Sequence, residues 1–258
     1  MSWTNLPFGG GIVTDLDTGL IYGIEDIEES PEMYKGNLDV PWKFTEFNPA
    51  NKSFTNVEKR GRPYSMNWVS MVYSSAAKRI FGYEDGLHND QATLWSYNTT
   101  SKDWTLVNVT GDIPPTRSLP CLVSAYSGKK LILAGGLGIK EPAAVLNDVY
   151  SFDVSTLAWT KLPNMPLAVW SQSCAVSGDS FIFMGGFTSP SIFDYDGENP
   201  VNNEGPAILN LTSNTWGTRY TPPGQTPSSA DRTHLTLSKA GFAALAVISA
   251  AASSLITL

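Results

Sequence analysis

Histidine and cysteine are scarce in this chain, with two of each among 258 residues. Metal centres and acid–base or thiol catalysis draw first on these side chains. His88 and His234 are the whole supply of imidazole, and no serine sits in a nucleophile-elbow context, so a Ser-His-Asp triad has no local support. Cys121 and Cys174 are too few for a disulfide scaffold and lack metal-type spacing, so they are expected as small buried hydrophobes. Positive charge is short as well: 17 Lys and Arg against 24 Asp and Glu leave a net −7. With no basic field to release counterions, nucleic acid is not an expected partner. The opening MSWTNLPFGGG has no basic start and no long apolar run, so no secretory leader is visible. Its FGGG, Phe8 to Gly11, is not followed by a helical pattern and reads as a turn instead of a phosphate loop. DYDGEN, Asp194 to Asn199, begins like a calcium loop but lacks the later bidentate Glu. No metal or other cofactor is expected.

What is present is a core and a period. Hydrophobic residues make up 42% of the chain and aromatic residues 11%, enough to bury one large or two small domains. The anchors Trp3, Phe54, Trp104, Trp159 and Trp216 are spaced by 51, 50, 55 and 57 residues. Seven residues before the last four stand Phe47, Tyr97, Phe152 and Leu209, each followed by Asn48, Asn98, Asp153 or Asn210. A large apolar residue followed by Asx reads as a strand end and a turn. Upstream lie the short β-rich stretches LIYGIED, RIFGYED, LILAGG and FIFMGG, each preceded by another strand and a turn. Four short strands per unit, with no long amphipathic helical pattern, predict an all-β radial fold.

An apolar strand, two glycines, a spaced aromatic and a tryptophan resemble the kelch repeat. The resemblance covers residues 3 to 220 and is closest in Arg117 to Pro163 and Ser171 to Trp216. It implies a β-propeller of four-stranded antiparallel blades, four of them complete, plus an N-terminal partial blade at Trp3. The aromatic anchors are then expected to face the neighbouring blade, each ring removing about 150–250 Å² from water. Gly135, Gly136, Gly185 and Gly186 are expected to end the second strands where φ turns positive. In the two earlier units Glu25-Asp26 and Glu84-Asp85 replace the pair, and Asx tolerance of positive φ makes Asp26 and Asp85 stand-ins without a catalytic role. Galactose oxidase shares the superfamily, but its two histidines, two tyrosines and cross-linked cysteine have no match here. A sugar oxidase-like enzyme is therefore the least favoured reading.

The connections between second and third strands are expected to gather on one face. Two are long and acidic: residues 27–42, with Glu28, Glu29, Glu32 and Asp39 against Lys35, carry −3, and residues 187–205, with Asp194, Asp196, Glu198 and Glu204, carry −4. Together they equal the net charge of the chain. The resulting rim is a candidate docking surface for a protein or glycan partner.

Nineteen residues without a charge, Ala240 to Leu258, end the sequence. As a helix they would reach roughly 28 Å, the thickness of a bilayer's hydrocarbon core. Small residues at Ser228 to Ala230 and a polar spacer precede them, the pattern of a GPI-attachment signal with Ser229 as candidate site. A retained single span and a fifth blade remain open. Sequons stand at Asn51, Asn98, Asn108 and Asn210. The organisation expected is a propeller over 1–220, N-terminally incomplete or closed through Trp3, a linker over 221–239 and an anchor over 240–258. The function expected is a non-catalytic binding scaffold on the outer face of a membrane, a soluble cytoplasmic kelch adaptor being the alternative.

Overall fold

The computed structural model describes residues 8–25, 43–57, 70–84, 93–139, 143–189, 206–220 and 222. These residues form strands, turns and connections, with no helix among them. Blade I comprises β1 (Phe8–Thr14), β2 (Ile21–Glu25), β3 (Lys43–Asn48) and β4 (Ser53–Val57). Blade II comprises β5 (Ser70–Ser74), β6 (Arg79–Glu84), β7 (Thr93–Asn98) and β8 (Asp103–Leu106). Two short strands follow, β9 (Thr110–Gly111) and β10 (Arg117–Ser118). Blade III runs through β11 (Cys121–Ala125) and β12 (Lys130–Ala134), then a small hairpin of β13 (Leu137–Gly138) and β14 (Ala144–Val145), then β15 (Val149–Asp153) and β16 (Ala158–Leu162). Blade IV comprises β17 (Ser173–Ser177), β18 (Ser180–Met184), β19 (Ala207–Asn210) and β20 (Thr215–Gly217).

Each blade is a meander in which consecutive strands pair antiparallel. β9, from the linker after blade II, adds a parallel fifth strand to blade III along β16. The first strands lie side by side in the order β1, β5, β11, β17, so the blades radiate from a common centre. This is the propeller arrangement.

The apolar runs follow from burial on both faces. In LILA, Leu131 and Leu133 face blade II, whereas Ile132 and Ala134 face blade IV, and all four are at most 1% exposed. A strand covered on only one side would alternate apolar with polar; these cannot. Three core clusters fill the three seams: blade I with II, II with III, and III with IV.

The hairpins joining third to fourth strands share one turn chemistry. The side-chain oxygens of Asn98, Asp153 and Asn210 each accept two backbone N–H groups further along the turn, and that of Asn48 accepts one. Four residues on, Lys52, Lys102, Leu157 and Asn214 sit at φ between 55° and 63°. The chain reverses there because the Asx side chain supplies the acceptor that the next strand has not yet provided.

Two expectations require correction. Cys121 and Cys174 are not separate buried thiols: they form a disulfide between β11 and β17. Their Cα atoms are 6.2 Å apart although 53 residues separate them in sequence, because first strands of successive blades are neighbours. The FGGG stretch is part of β1 and not a turn, with the ladder to β2 shifting register between Phe8 and Ile12, an irregularity that glycines tolerate. Asp26 and Asp85, the expected stand-ins, lie outside the described residues, and Glu25 and Glu84 before them end the second strands. Both glutamates stay in the ladder, opposite Lys43 and Thr93.

Candidate functional site

The register decides which connections share a face. Cys121 pairs with Ala134 and Val149 with Leu162, so the start of the first strand, the end of the second, the start of the third and the end of the fourth lie at one end of the blade. Second-to-third-strand connections and blade-to-blade linkers therefore emerge together, and the tight hairpins point the other way. Loop-bearing faces are where binding residues collect on a rigid scaffold.

On this face the chain leaves β12 through Gly135 and Gly136, at φ +61° and +107°, and leaves β18 through Gly185 and Gly186, at +71° and +97°. Gly135 has no room for a side chain: a Cβ would lie 2.5 Å from the Val169 carbonyl oxygen and from Gln172 Nε2. Val169 and Gln172 belong to the linker between blades III and IV, which is bonded onto this turn. Gly136 N–H donates to Val169 O at 2.9 Å, and Gln172 Nε2 donates to Ala134 O at 2.7 Å. Trp170 N–H and Phe187 O, and the reverse pair, close a two-bond bridge to the start of blade IV's long connection.

At the centre of this packing sits a fully buried cation that sequence reasoning passed over. Arg117 is 0% exposed. Its Nη2 donates to Asp148 Oδ2 at 2.8 Å, its Nη1 to Asp148 Oδ1 and, at 3.0 Å, to Gly135 O, and its Nε to Pro115 O at 3.1 Å. Tyr150 adds its hydroxyl to Asp148 Oδ2 at 3.1 Å and its ring below the guanidinium at 5.4 Å. Tyr83 of blade II donates to Pro115 O at 3.1 Å. A fork of planar donors matched to a carboxylate is the geometry in which a buried pair is best satisfied. Burial opposes the charge on Arg117, but the Asp148 bond and the neighbouring tyrosines hold its pKa above the ordinary guanidinium value. Burial pushes the Tyr83 hydroxyl up, against the pull of Arg117. Burial, then the Asp148 carboxylate, push Tyr150 up to about 12. The hydroxyls thus stay protonated at neutral pH and serve as fixed donors. The signal legible in sequence was Arg117 placed a few residues before an apolar strand and Asp148 directly before VYSFD.

The repeat anchors occupy one register position. Phe47 pairs with Phe54, Tyr97 with Trp104, Phe152 with Trp159 and Leu209 with Trp216. Trp104 and Trp159 are 4% and 3% exposed, each in the seam with the preceding blade. Trp216 packs on Phe183, ring centroids 5.7 Å apart, and donates across the seam to Pro163 O of blade III at 3.2 Å. Phe54 packs on Phe47 with tilted rings, centroids 4.6 Å apart, and stays 41% exposed. Asn51, Asn108 and Asn210 are exposed, and Asn98 is half-buried. Trp3, Asp26, Asp85, the rim acids Glu28, Glu29, Glu32, Asp194, Asp196 and Glu198, both histidines, Ser229 and residues 240–258 lie outside the described residues. Among the described residues, no helix is long and apolar enough to cross a membrane.

The KLHDC2/KLHL20/DRC7 Kelch-repeats domain family matches residues 35–240. The chain belongs to the kelch-repeat family. Such domains are in general non-enzymatic protein-interaction scaffolds. The "Kelch-like protein terF" of Aspergillus terreus (strain NIH 2624 / FGSC A1156) is 28% identical to this kelch protein over 116 residues, which is 45% of this chain and 24% of that relative. The aligned part thus spans about a quarter of the length of that relative.

Proposed function

We infer that this kelch protein is a non-catalytic scaffold that docks a basic protein partner on its loop-bearing face and is held at a membrane by residues 240–258. The observation that carries the docking half is the equivalence of strand ends. The second strands β2 and β18 end, and the third strands β3 and β19 begin, at the same end of their blades, and the sequence between them, 27–42 and 187–205, is acidic. On this reading the charges of −3 and −4 add in a single field, which favours a cationic partner and accelerates its approach. A glycan lacks the positive charge that this field rewards. The kelch repeats supply the scaffold role, and the uncharged C-terminal stretch of bilayer length supports the tether.

The docking half is tested with the full chain and a variant carrying Glu28→Gln, Glu29→Gln, Glu32→Gln, Asp194→Asn, Asp196→Asn and Glu198→Gln. Partners captured by crosslinking on intact cells should be basic proteins, lost from the variant and weakened by salt. Equal capture by both chains would remove the acidic face from the account. Alkaline extraction of membranes followed by phospholipase treatment tests the tether. Recovery of the full chain in the soluble fraction before treatment would favour the soluble adaptor.

A further inference from the structure

Two of the sequons are not explained by the repeat. At Asn98 and Asn210 the asparagine is the turn residue, equivalent to Asn48 and Asp153, and its side-chain oxygen is occupied by backbone N–H groups. Asn108 has no such duty, and Asn51, whose side-chain oxygen accepts the Ser53 N–H at 3.1 Å, does not occupy the turn's Asx position. The residues equivalent to Asn51 in the other turns are Ser101, Thr156 and Ser213, so the turn does not require asparagine there.

Both sites are held in a form a glycan can occupy. Val107 N–H donates to Leu94 O at 2.9 Å and Thr110 N–H to Leu157 O at 3.0 Å, which fixes residues 107–110 along blades II and III. Val107 and Val109 turn inward onto the core between those blades, and Asn108 and Thr110 are exposed. The two-residue period of extended chain thus sets the amide and the hydroxyl of the sequon side by side toward solvent. In the Asn51 turn, Ser53 Oγ donates to Asn51 Oδ1 at 2.7 Å, and both residues are exposed. The bonds from the Ser53 N–H and Oγ both end on the Asn51 side-chain oxygen, and the sugar attaches to the amide nitrogen.

A second observation concerns where the chain matures. Cys121 and Cys174 are joined as a disulfide, and structural disulfides form and persist in oxidising compartments, the same compartments in which sequons are modified. We propose that the propeller matures in such a compartment and carries N-linked glycans on Asn51 and Asn108. In the transfer, a bond forms between Asn Nδ2 and the anomeric carbon of a lipid-diphosphate-linked oligosaccharide. The sugar–phosphate bond breaks, the lipid diphosphate leaves with the electron pair, and the amide proton passes to the transferase's base. In the disulfide, two thiols lose two electrons and two protons to a disulfide-bearing oxidoreductase.

The test is a peptide map of the protein recovered from the cells that make it, with thiols alkylated before lysis. Digestion with peptide N-glycosidase in heavy-oxygen water should convert Asn51 and Asn108 to labelled Asp, and the Cys121 and Cys174 peptides should stay linked until reduced. Asn51→Gln and Asn108→Gln should each remove one glycan's step in gel mobility. An unconverted asparagine at either position overturns the assignment of that site. Alkylated Cys121 and Cys174 overturn the compartment. Neither result depends on the acidic loops, so this proposal and the docking role fail separately.

Discussion

Cys121, the first residue of β11, is bonded to Cys174, the second residue of β17, so a covalent link joins the innermost strands of blades III and IV. It closes a 53-residue separation that holds all of blade III. Constraining a loop of that size stabilises a fold by about 2–4 kcal/mol, chiefly by restricting the unfolded chain. Adding a reductant should therefore lower the melting temperature, and Cys121→Ser with Cys174→Ser should lower it equally and abolish the response. Calorimetry with and without reductant makes the comparison.

Arg117 and Asp148 should behave as a unit. Removing one partner of a buried pair leaves the other charge uncompensated, at a cost of about 3–5 kcal/mol. Arg117→Met is expected to lose that much in urea unfolding. Arg117→Met with Asp148→Leu should recover part of it, because the carboxylate that the single variant strands is gone. A double variant worse than either single would contradict the geometry.

The anchors should divide by exposure. Trp104→Ala and Trp159→Ala each empty a seam and should cost about 3–5 kcal/mol. Phe54→Ala removes a ring that is 41% exposed, and should cost about 1 kcal/mol or less. Denaturant midpoints of the three variants rank them.

Glycine at two equivalent positions should differ in tolerance. Gly185, at φ +71°, has no described residue within 4 Å of where a Cβ would stand, whereas at Gly135 a Cβ would meet a carbonyl oxygen at 2.5 Å. Gly185→Ala should cost the strain of the left-handed conformation alone, about 1 kcal/mol. Gly135→Ala should cost several-fold more in the same assay, because backbone of the adjoining linker must shift.

Acid should act through one turn. The Ser155 hydroxyl, then the backbone N–H groups of Thr156 and Ser155, hold the Asp153 carboxyl below its usual range, against a small effect of burial. A depressed folded pKa means that the contribution is complete above the unfolded Asp value, about 3.9, and disappears as pH falls through the lower folded value. Asp153→Asn, the residue the other three turns use, should leave neutral stability nearly unchanged and flatten its decline in that acid window. Chemical unfolding repeated from pH 6 downward, at about half-unit steps, reads the difference.

The one-dimensional pattern carried the blades because each blade is local. Phe152 and Trp159 meet across a tight hairpin, so their spacing in sequence is their register in the sheet. The LILA run was legible as a strand for the same reason. What stayed hidden lies between blades. The glycine pair could be read as a turn, but not that Val169 and Gln172 fill the space beside Gly135. Arg117 looked like one of 17 scattered cations until the fold brought Asp148, Tyr150 and Tyr83 around it.

Sequence alone determined the all-β class, the strand and turn order of each unit and the position of its aromatic anchors, since these depend on contacts between residues close in the chain. Tertiary structure alone decided that two distant cysteines are partners, that a lone arginine is buried and that Asn51 and Asn108 present their sequons to solvent. Those outcomes depend on which blade lies beside which, and contacts between separate sheets leave no fixed spacing in the chain.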